Sequence, residues 1–340
     1  MRSLIIVGTA VASCWAANPV FDVEGYGESY YFSQSGNRSD TVARFTVEPS
    51  VNFSDVVTVH AHIGFEHPAE DGTWAEAELE ALSLDAKLDD KTLFSFGKMH
   101  MPIGMYNLYH EPIYFLTIEP SRVENLIIPT EWHETAALLS RSIGNLTLTG
   151  GAMTPMDGRK LEYSSWIHEG KESYLTGGKR PGWLVRADYG TIETALIGAS
   201  AVTVPMIGCD AQATLLEAHA SVRLENGWEG SALAAKGWID DVASLNALTN
   251  QKIAGHAQGA SLTVGYDVGR LVDLSKRQVV AFAHSEYAMP ASSLNPNTLG
   301  GTAHSGGINW FITPSVVAKT EFVHSNHEGD RLGIGLGFVY

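Results

Sequence analysis

The chain has 340 residues, 44% of them hydrophobic and only 18% charged, with a mean hydropathy of −0.02. That is too apolar for a disordered chain and lean in charge for the surface of a soluble domain. The 38 acidic against 22 basic residues leave a formal −16 with no Lys/Arg cluster, which argues against a nucleic-acid partner, while 34 scattered glycines without a triplet period exclude collagen and suggest glycine-bearing strands.

At the N-terminus, Arg2, the apolar run Leu4 to Val11 and the small residues ending at Ala16-Ala17 read as an export signal over 1–16, leaving 17–340 as a single domain. Val11-Ala12-Ser13-Cys14 also fits lipoprotein processing, which would put a lipid on Cys14; Trp15 and the well-placed Ala16 favour ordinary cleavage. Either way Cys209 is left alone, so an internal disulfide is excluded.

No later apolar run reaches the roughly 18 residues that a membrane-spanning helix needs, so a membrane location must use strands. Sixteen segments of alternating polarity follow in order: 22–32, 41–51, 56–66, 74–86, 91–98, 134–141, 144–152, 182–189, 192–201, 213–223, 228–239, 257–267, 276–288, 304–312, 316–324 and 331–340. In 56–66, Val57, Val59, Ala61, Ile63 and Phe65 share one face, opposite Thr58, His60, His62, Gly64 and Glu66. In 213–223, Leu216, Ala218, Ala220 and Val222 oppose Glu217, His219, Ser221 and Arg223.

A soluble sandwich shows the same period, so the connections decide. Gaps such as 52–55, 87–90, 142–143, 190–191 and 313–315 are short, and those at 33–40, 99–133, 153–181, 240–256 and 289–303 are mostly longer. Short turns at one rim and long loops at the other, with an even strand number, predict a transmembrane antiparallel up-and-down β-barrel. Trp228 and Trp238 bracket ten steps, roughly 33 Å of strand and about 23 Å along the membrane normal at a 45° tilt, which fits an apolar band between aromatic girdles. Lys236 shares their face and must snorkel toward the headgroups.

The last strand puts Leu332, Ile334, Leu336, Phe338 and Tyr340 on the lipid face and glycines on the lumen face, and the chain stops on an aromatic. Phe338 and Tyr340 are thus the candidate assembly signal, read by the barrel insertion machinery. The Gly-x-Gly-x-Gly spacing there is no dinucleotide motif, because no helix follows it.

The stretch Phe96-Gly97-Lys98-Met99-His100-Met101-Pro102-Ile103-Gly104-Met105-Tyr106-Asn107, followed by Ile128-Pro129-Thr130-Glu131-Trp132-His133-Glu134, resembles a strand–loop–strand segment of the phosphate-selective porin O and P family. The segment Trp238 to Asn246, leading to Gly265-Tyr266-Asp267-Val268, resembles a later loop and strand of that family. The resemblance implies a sixteen-stranded passive porin, trimeric, whose long third loop folds into the lumen. It does not carry phosphate selectivity, because the arginine ladder and lysine ring associated with that property have no counterpart here. The lumen-side candidates are mixed and mostly acidic: Arg44, Glu48, His60, His62, Glu76, Glu78, Glu80, Arg186, Asp188, Glu217, Arg223, Lys319 and Glu321.

The 99–133 loop is far longer than ordinary connections, and its tyrosines, Phe115, Leu116, Ile118, Leu126 and Ile127 argue against disorder. It forms either a constriction or a surface lid that closes over the barrel or makes trimer contacts. As a constriction, its charges would be Lys98, Glu111, Glu119, Arg122, Glu124, Glu131 and Glu134, five carboxylates against two cations, which favours mild cation preference unless Arg44, Arg186, Arg223 and Lys319 gather opposite and offset them.

No hydrolase elbow, zinc-protease helix, phosphate loop or paired-cysteine motif occurs, so no enzyme and no cofactor are expected. His60-x-His62 could begin a metal site, but no third ligand is identifiable, and no metal is expected either. The expectation is an outer-membrane porin of a Gram-negative bacterium, a homotrimer in lipid that passes small hydrophilic solutes and ions. The alternatives are an anion- or phosphate-selective porin of the same fold and an exported all-β binding protein.

Overall fold

The computed structural model describes residues 19–34, 38–67, 76–163, 165–171, 180–272, 278–291, 300–326 and 329–340. The expected export signal and Cys14 lie outside these residues.

Sixteen strands succeed one another around a closed barrel: β1 (Val20–Gln34), β2 (Arg38–Asn52), β3 (Val57–His67), β4 (Glu76–Asp89), β5 (Thr92–His100), β6 (His133–Ile143), β7 (Leu146–Met153), β8 (Gly182–Thr191), β9 (Ala195–Ile207), β10 (Gln212–Arg223), β11 (Trp228–Asp240), β12 (His256–Asp267), β13 (Gln278–Met289), β14 (Gly301–Thr313), β15 (Val316–Ser325) and β16 (Gly329–Val339). Each pairs antiparallel with its sequence neighbours, and β16 returns to β1 with Val339 opposite Tyr26 and Arg331 opposite Gln34. Closure removes every sheet edge, so the backbone can be hydrogen-bonded throughout without water. Every segment expected from alternation overlaps one of these strands, residues 74–75 and 276–277 lying outside the described ones. The addition is a two-residue strand, Met156–Asp157, that pairs parallel with Met206–Ile207 at the end of β9.

The rim at which β1 begins and β16 ends carries tight turns. At one of them Gly144 adopts φ +62° ahead of Asn145, a left-handed conformation that a two-residue hairpin requires and glycine supplies without strain. The opposite rim carries the long connections, including α1 (Arg122–Leu126) and α2 (Val242–Thr249).

The two faces are the reverse of a soluble sandwich. Outward positions hold exposed Phe65, Phe96, Leu139, Ile197, Leu262, Ile308, Phe322 and Ile334, while inward positions bury Arg186, Glu217, His219, Glu286, Lys319 and Glu321. Apolar surface facing out and ionisable groups facing in is the distribution that a lipid solvent selects. Among the described residues no helix is long and apolar enough to cross a membrane. Lys236 is exposed on the outer face, as the register of Trp228 and Trp238 requires.

One phase change in the alternation is explained by a bulge. Opposite β3, His62 faces Ala81 while Ile63 faces Leu79, so Glu80 is an extra residue on β4. It lets Glu76, Glu78 and Glu80 point inward together and still puts Leu82 and Leu84 outside.

At the end of β16, Phe338 lies over Gly27, where a Cβ would sit 2.5 Å from its ring, and Tyr340 stacks on Phe45 at 5.6 Å and 10° and donates its hydroxyl to the Thr46 carbonyl. The two terminal aromatics thus cover a glycine-thinned patch of the outer wall.

The largest apolar cluster lies inside the barrel near the loop rim. Met101, Ile103, Val123, Ile127, Ile128 and Trp132 of the third loop pack with Trp166 and Ile167 of the next loop and with wall residues Leu184, Val204, Leu215 and Leu233. Strict alternation places apolar side chains on the outer face alone. These wall residues face inward instead, because the folded loops give them a dry partner.

Candidate functional site

The third loop, 101–132, crosses the lumen and is fastened to two opposing walls by the inward charges. Toward β13–β16, Lys319 Nζ donates to the carbonyls of Phe115 and Thr117 at 2.8 Å each and lies 4.0 Å over the Phe115 ring. Glu321 accepts from the Ile118 N–H at 2.7 Å, Glu286 from the Arg122 N–H at 2.6 Å, and Asn309 donates to the Leu116 carbonyl at 2.8 Å. Arg331 pairs with Glu119 at 3.0 Å. Toward β8–β10, Arg186 donates to the Gly104 carbonyl at 2.6 Å and Arg223 to the Ile113 carbonyl at 3.0 Å. Charge-assisted bonds to backbone are strong in a water-poor interior, so the wall specifies the loop path.

The terminal-strand glycines belong to this design. A Cβ at Gly337 would lie 2.4 Å from the Pro112 Cβ, and one at Gly333 would meet Phe32 and Ile118, so the loop lies directly on a wall that has no side chains there.

Inside the loop, Glu124 accepts from the N–H groups of Met105 and Tyr106 at 2.7 Å each, and Ser121 caps α1 through the Glu124 N–H. Burial nonetheless pushes the Glu124 carboxyl above its ordinary range. Glu131 binds Arg44, which also reaches Glu66 and Glu28; burial would raise its carboxyl, but the Arg44 guanidinium leads the charges that hold it down at about 2. Burial, reinforced by nearby Glu48, pushes the Glu111 carboxyl up to about 7.

Two cavities flank this layer. The one on the loop-rim side, about 330 Å³, is lined by Glu28, Arg44, Glu119, Arg122, Glu131, Glu286, Glu321 and Arg331, among others. The one on the turn-rim side, about 650 Å³, is lined by Asp22, Glu24, Glu48, His60, Asp85 and Lys87, among others. They share no lining residue, and Tyr26 and His110, whose rings lie 5.2 Å apart, stand between them beside the Arg44–Glu131 pair.

The expected constriction set therefore separates. Glu119, Arg122 and Glu131 line the cavity on the loop-rim side, and Glu111 is a partly buried group on the loop. Three others lie elsewhere. Lys98 pairs across the ladder with outward Leu82 and binds Glu78 and the Leu79 carbonyl beside the bulge, because its position has the outward phase of β5. Glu134 is buried among apolar residues, held by the Trp132 indole and the Thr154 hydroxyl. Glu124 is the internal clamp just described.

Among the wall positions, Arg186, Asp188 and Glu217 form one network around His219, with Asp188 at 3.0 Å and Glu217 at 2.9 Å from its two ring nitrogens. Arg223 also pairs with Glu229, and His60 with Asp85. Of the four wall cations, Lys319 donates to two loop carbonyls, Arg186 and Arg223 to one each while also pairing with Asp188 and Glu229, and Arg44 binds carboxylates.

Sequence reasoning missed Glu28, Glu286 and Arg331, although strand alternation puts each on an inward face. It also missed a cluster of imidazoles. His100 and His133 face each other across β5 and β6 with Nε2 atoms 2.7 Å apart, and His62 and His110 lie with ring centroids 4.9 Å from that of His100. Glu80, carried inward by its bulge, is 2.9 Å from His62 Nε2. No signal in the sequence joins four histidines that come from two strands, a loop and a strand start.

No family model matches the chain. An uncharacterized protein of Aquifex aeolicus (strain VF5) is 21% identical over 353 aligned residues, covering 96% of this chain and 80% of that one. Among solved structures, Salmonella typhi OmpF in complex with daunomycin superposes with a TM-score of 0.63 at 8% identity, covering 94% of this chain and 97% of its own. A loop-deletion mutant of OmpT, an outer membrane protein of Vibrio cholerae, gives 0.61 at 10% identity, over 95% and 99%. A triple mutant of Rhodopseudomonas blastica porin gives 0.56 at 11%, over 94% and 100%. At such identities the likeness is one of fold: the chain has the closed sixteen-stranded antiparallel barrel of bacterial outer-membrane porins.

Proposed function

We propose that the chain is a porin of a Gram-negative outer membrane that passes small hydrophilic solutes and ions by diffusion, with mild cation preference. The carrying observation is the lumen itself: two charged cavities separated by one loop that the wall holds in place. The chemistry is that of a field at a constriction rather than of catalysis, because the inward charges are engaged in positioning backbone.

The cation preference is supported by the linings. The cavity on the loop-rim side presents the carboxylates Glu28, Glu119, Glu131, Glu286 and Glu321 against three arginines, and the one on the turn-rim side presents Asp22, Glu24, Glu48 and Asp85 against Lys87. Low-dielectric walls focus such an excess of negative charge on entering ions. Resemblance to the phosphate-selective porin O and P family rests on the loop segments already quoted, and the acidic linings speak against phosphate as cargo.

The rest of the proposal concerns biogenesis. Residues 1–16 act as the export signal, the Phe338 and Tyr340 patch is read by the insertion machinery, and three barrels associate in the membrane. The test is conductance in planar bilayers with the reversal potential under a potassium chloride gradient. Wild type should favour potassium, and replacing Asp22, Glu24 and Glu48 by their amides should shift the potential toward zero. No conductance, or anion preference in wild type, would refute the reading.

A further inference from the structure

The imidazole cluster lies where the loop tip meets the wall, and its donors converge. His62, His100 and His110 place one ring nitrogen each within 4.8 Å of one another, and a Glu80 carboxylate oxygen with ring nitrogens of His100 and His133 does the same, so His100 is common to both triads. His62 is 5% exposed and His133 is 2%. The His110 Nε2 is buried without a hydrogen-bond partner. The His62 Nε2 is also buried, and its 2.9 Å approach to Glu80 lacks hydrogen-bond geometry. A group of polar atoms removed from water and not satisfied by the protein is costly unless something else satisfies it.

We propose that His62, His100, His110, His133 and Glu80 form a binding site for one divalent transition-metal ion of the zinc class. Neutral imidazole is a borderline ligand that suits zinc, copper and nickel, and four imidazoles with one carboxylate offer five donors, enough for a tetrahedral set of four or for a five-coordinate ion; calcium and magnesium prefer all-oxygen sites. Zinc–nitrogen bonds of about 2.0–2.1 Å place tetrahedral donors about 3.3 Å apart. The 2.7 Å between His100 and His133, the 2.9 Å between His62 and Glu80 and the 3.7 Å between His133 and Glu80 bracket that value, so small side-chain rotations suffice. Glu48, 3.8 Å from the other nitrogen of His62, stands where a carboxylate orients a metal-bound imidazole.

Access is built in. His62 and His100 line the turn-rim cavity, whose Asp22, Glu24, Glu48 and Asp85 raise the local concentration of cations. The ion would join His110 of the third loop to His62 of β3 and so tie the loop tip to a wall region that the Lys319 and Arg186 contacts do not reach.

The experiment is zinc titration of the purified full chain in detergent after chelator treatment, by calorimetry and by equilibrium dialysis with metal quantification. Wild type should hold one zinc per chain, with calcium and magnesium failing to compete. His100→Gln should weaken binding on the order of 100-fold, since it serves both triads, and His62→Gln on the order of 10-fold or more. His324→Gln should leave affinity unchanged, because this exposed histidine at the loop rim pairs with Asp330 away from the cluster. Folding is checked by heat-modifiable migration; His110→Gln, on the loop and outside the strand ladder, carries the test if the strand variants fold poorly. Folded wild type that retains no zinc, or wild-type affinity in both His110→Gln and His100→Gln, would overturn the site. Binding is read without a bilayer, so its failure is distinguishable from failure of the channel reading.

Discussion

Lys319 is the point at which the loop's position can be tested most directly. Changing it to Met keeps length and volume but removes both donors, leaving the Phe115 and Thr117 carbonyls, each now 2.8 Å from Nζ, without that partner. An unsatisfied buried polar group costs about 1–3 kcal/mol, so the two together cost about 2–6 kcal/mol. The Met variant also escapes the cost of burying an ammonium, which places the net weakening near the lower end, about 2 kcal/mol. That raises the population of the detached loop roughly thirty-fold. The barrel ladder does not involve this side chain, so heat-modifiable migration should match wild type. Single-channel records should show added flicker and excursions to higher conductance, and chymotrypsin should cut near Tyr114 and Phe115 faster. Records and cleavage rates indistinguishable from wild type in a folded barrel would refute the idea that wall charges hold the loop.

Other expectations follow from the same geometry. Gly337→Val should move the loop off the wall, since even a Cβ there meets Pro112 at 2.4 Å; altered conductance in a folded barrel is the readout, and none would show that the contact yields freely. Changing Phe338 and Tyr340 to Ser uncovers Gly27 and removes the stack on Phe45, each aromatic pair being worth about 0.5–1.5 kcal/mol. Synthesis should continue and the yield of folded barrel in outer-membrane fractions should fall; an unchanged yield would make the terminal aromatics incidental. A protease site inserted within 250–252, after α2, should be cut on intact cells and one at 144–145 should not, with the reverse pattern sinking the orientation.

The barrel was legible in the sequence because its determinants are local. A lipid exterior imposes period-two polarity on each strand, tight turns need residues such as Gly144, and the terminal Leu332, Ile334, Leu336 and Phe338 have no aqueous face to pack against. The extra residue Glu80, which shifts the phase of β4, shows only in the pairing with β3. The lumen followed no such rule. Leu184, Val204, Leu215 and Leu233 occupy inward positions that a water-filled channel would make polar, and they are apolar because folded loops cover them. Lys98 and Glu134 looked like pore charges because they flank the long loop, but strand phase and a dry core take them elsewhere. Lys319 and Glu321 looked like solvated lining, yet they bind backbone about two hundred residues away in the chain, Lys319 to Thr117 with a separation of 202 and Glu321 to Ile118 with 203. The gathering of His62, His100, His110 and His133 depends on where a loop crosses a closed sheet. Local periodicity encodes a wall; what meets inside it is set by closure and loop path, which no spacing along the chain records.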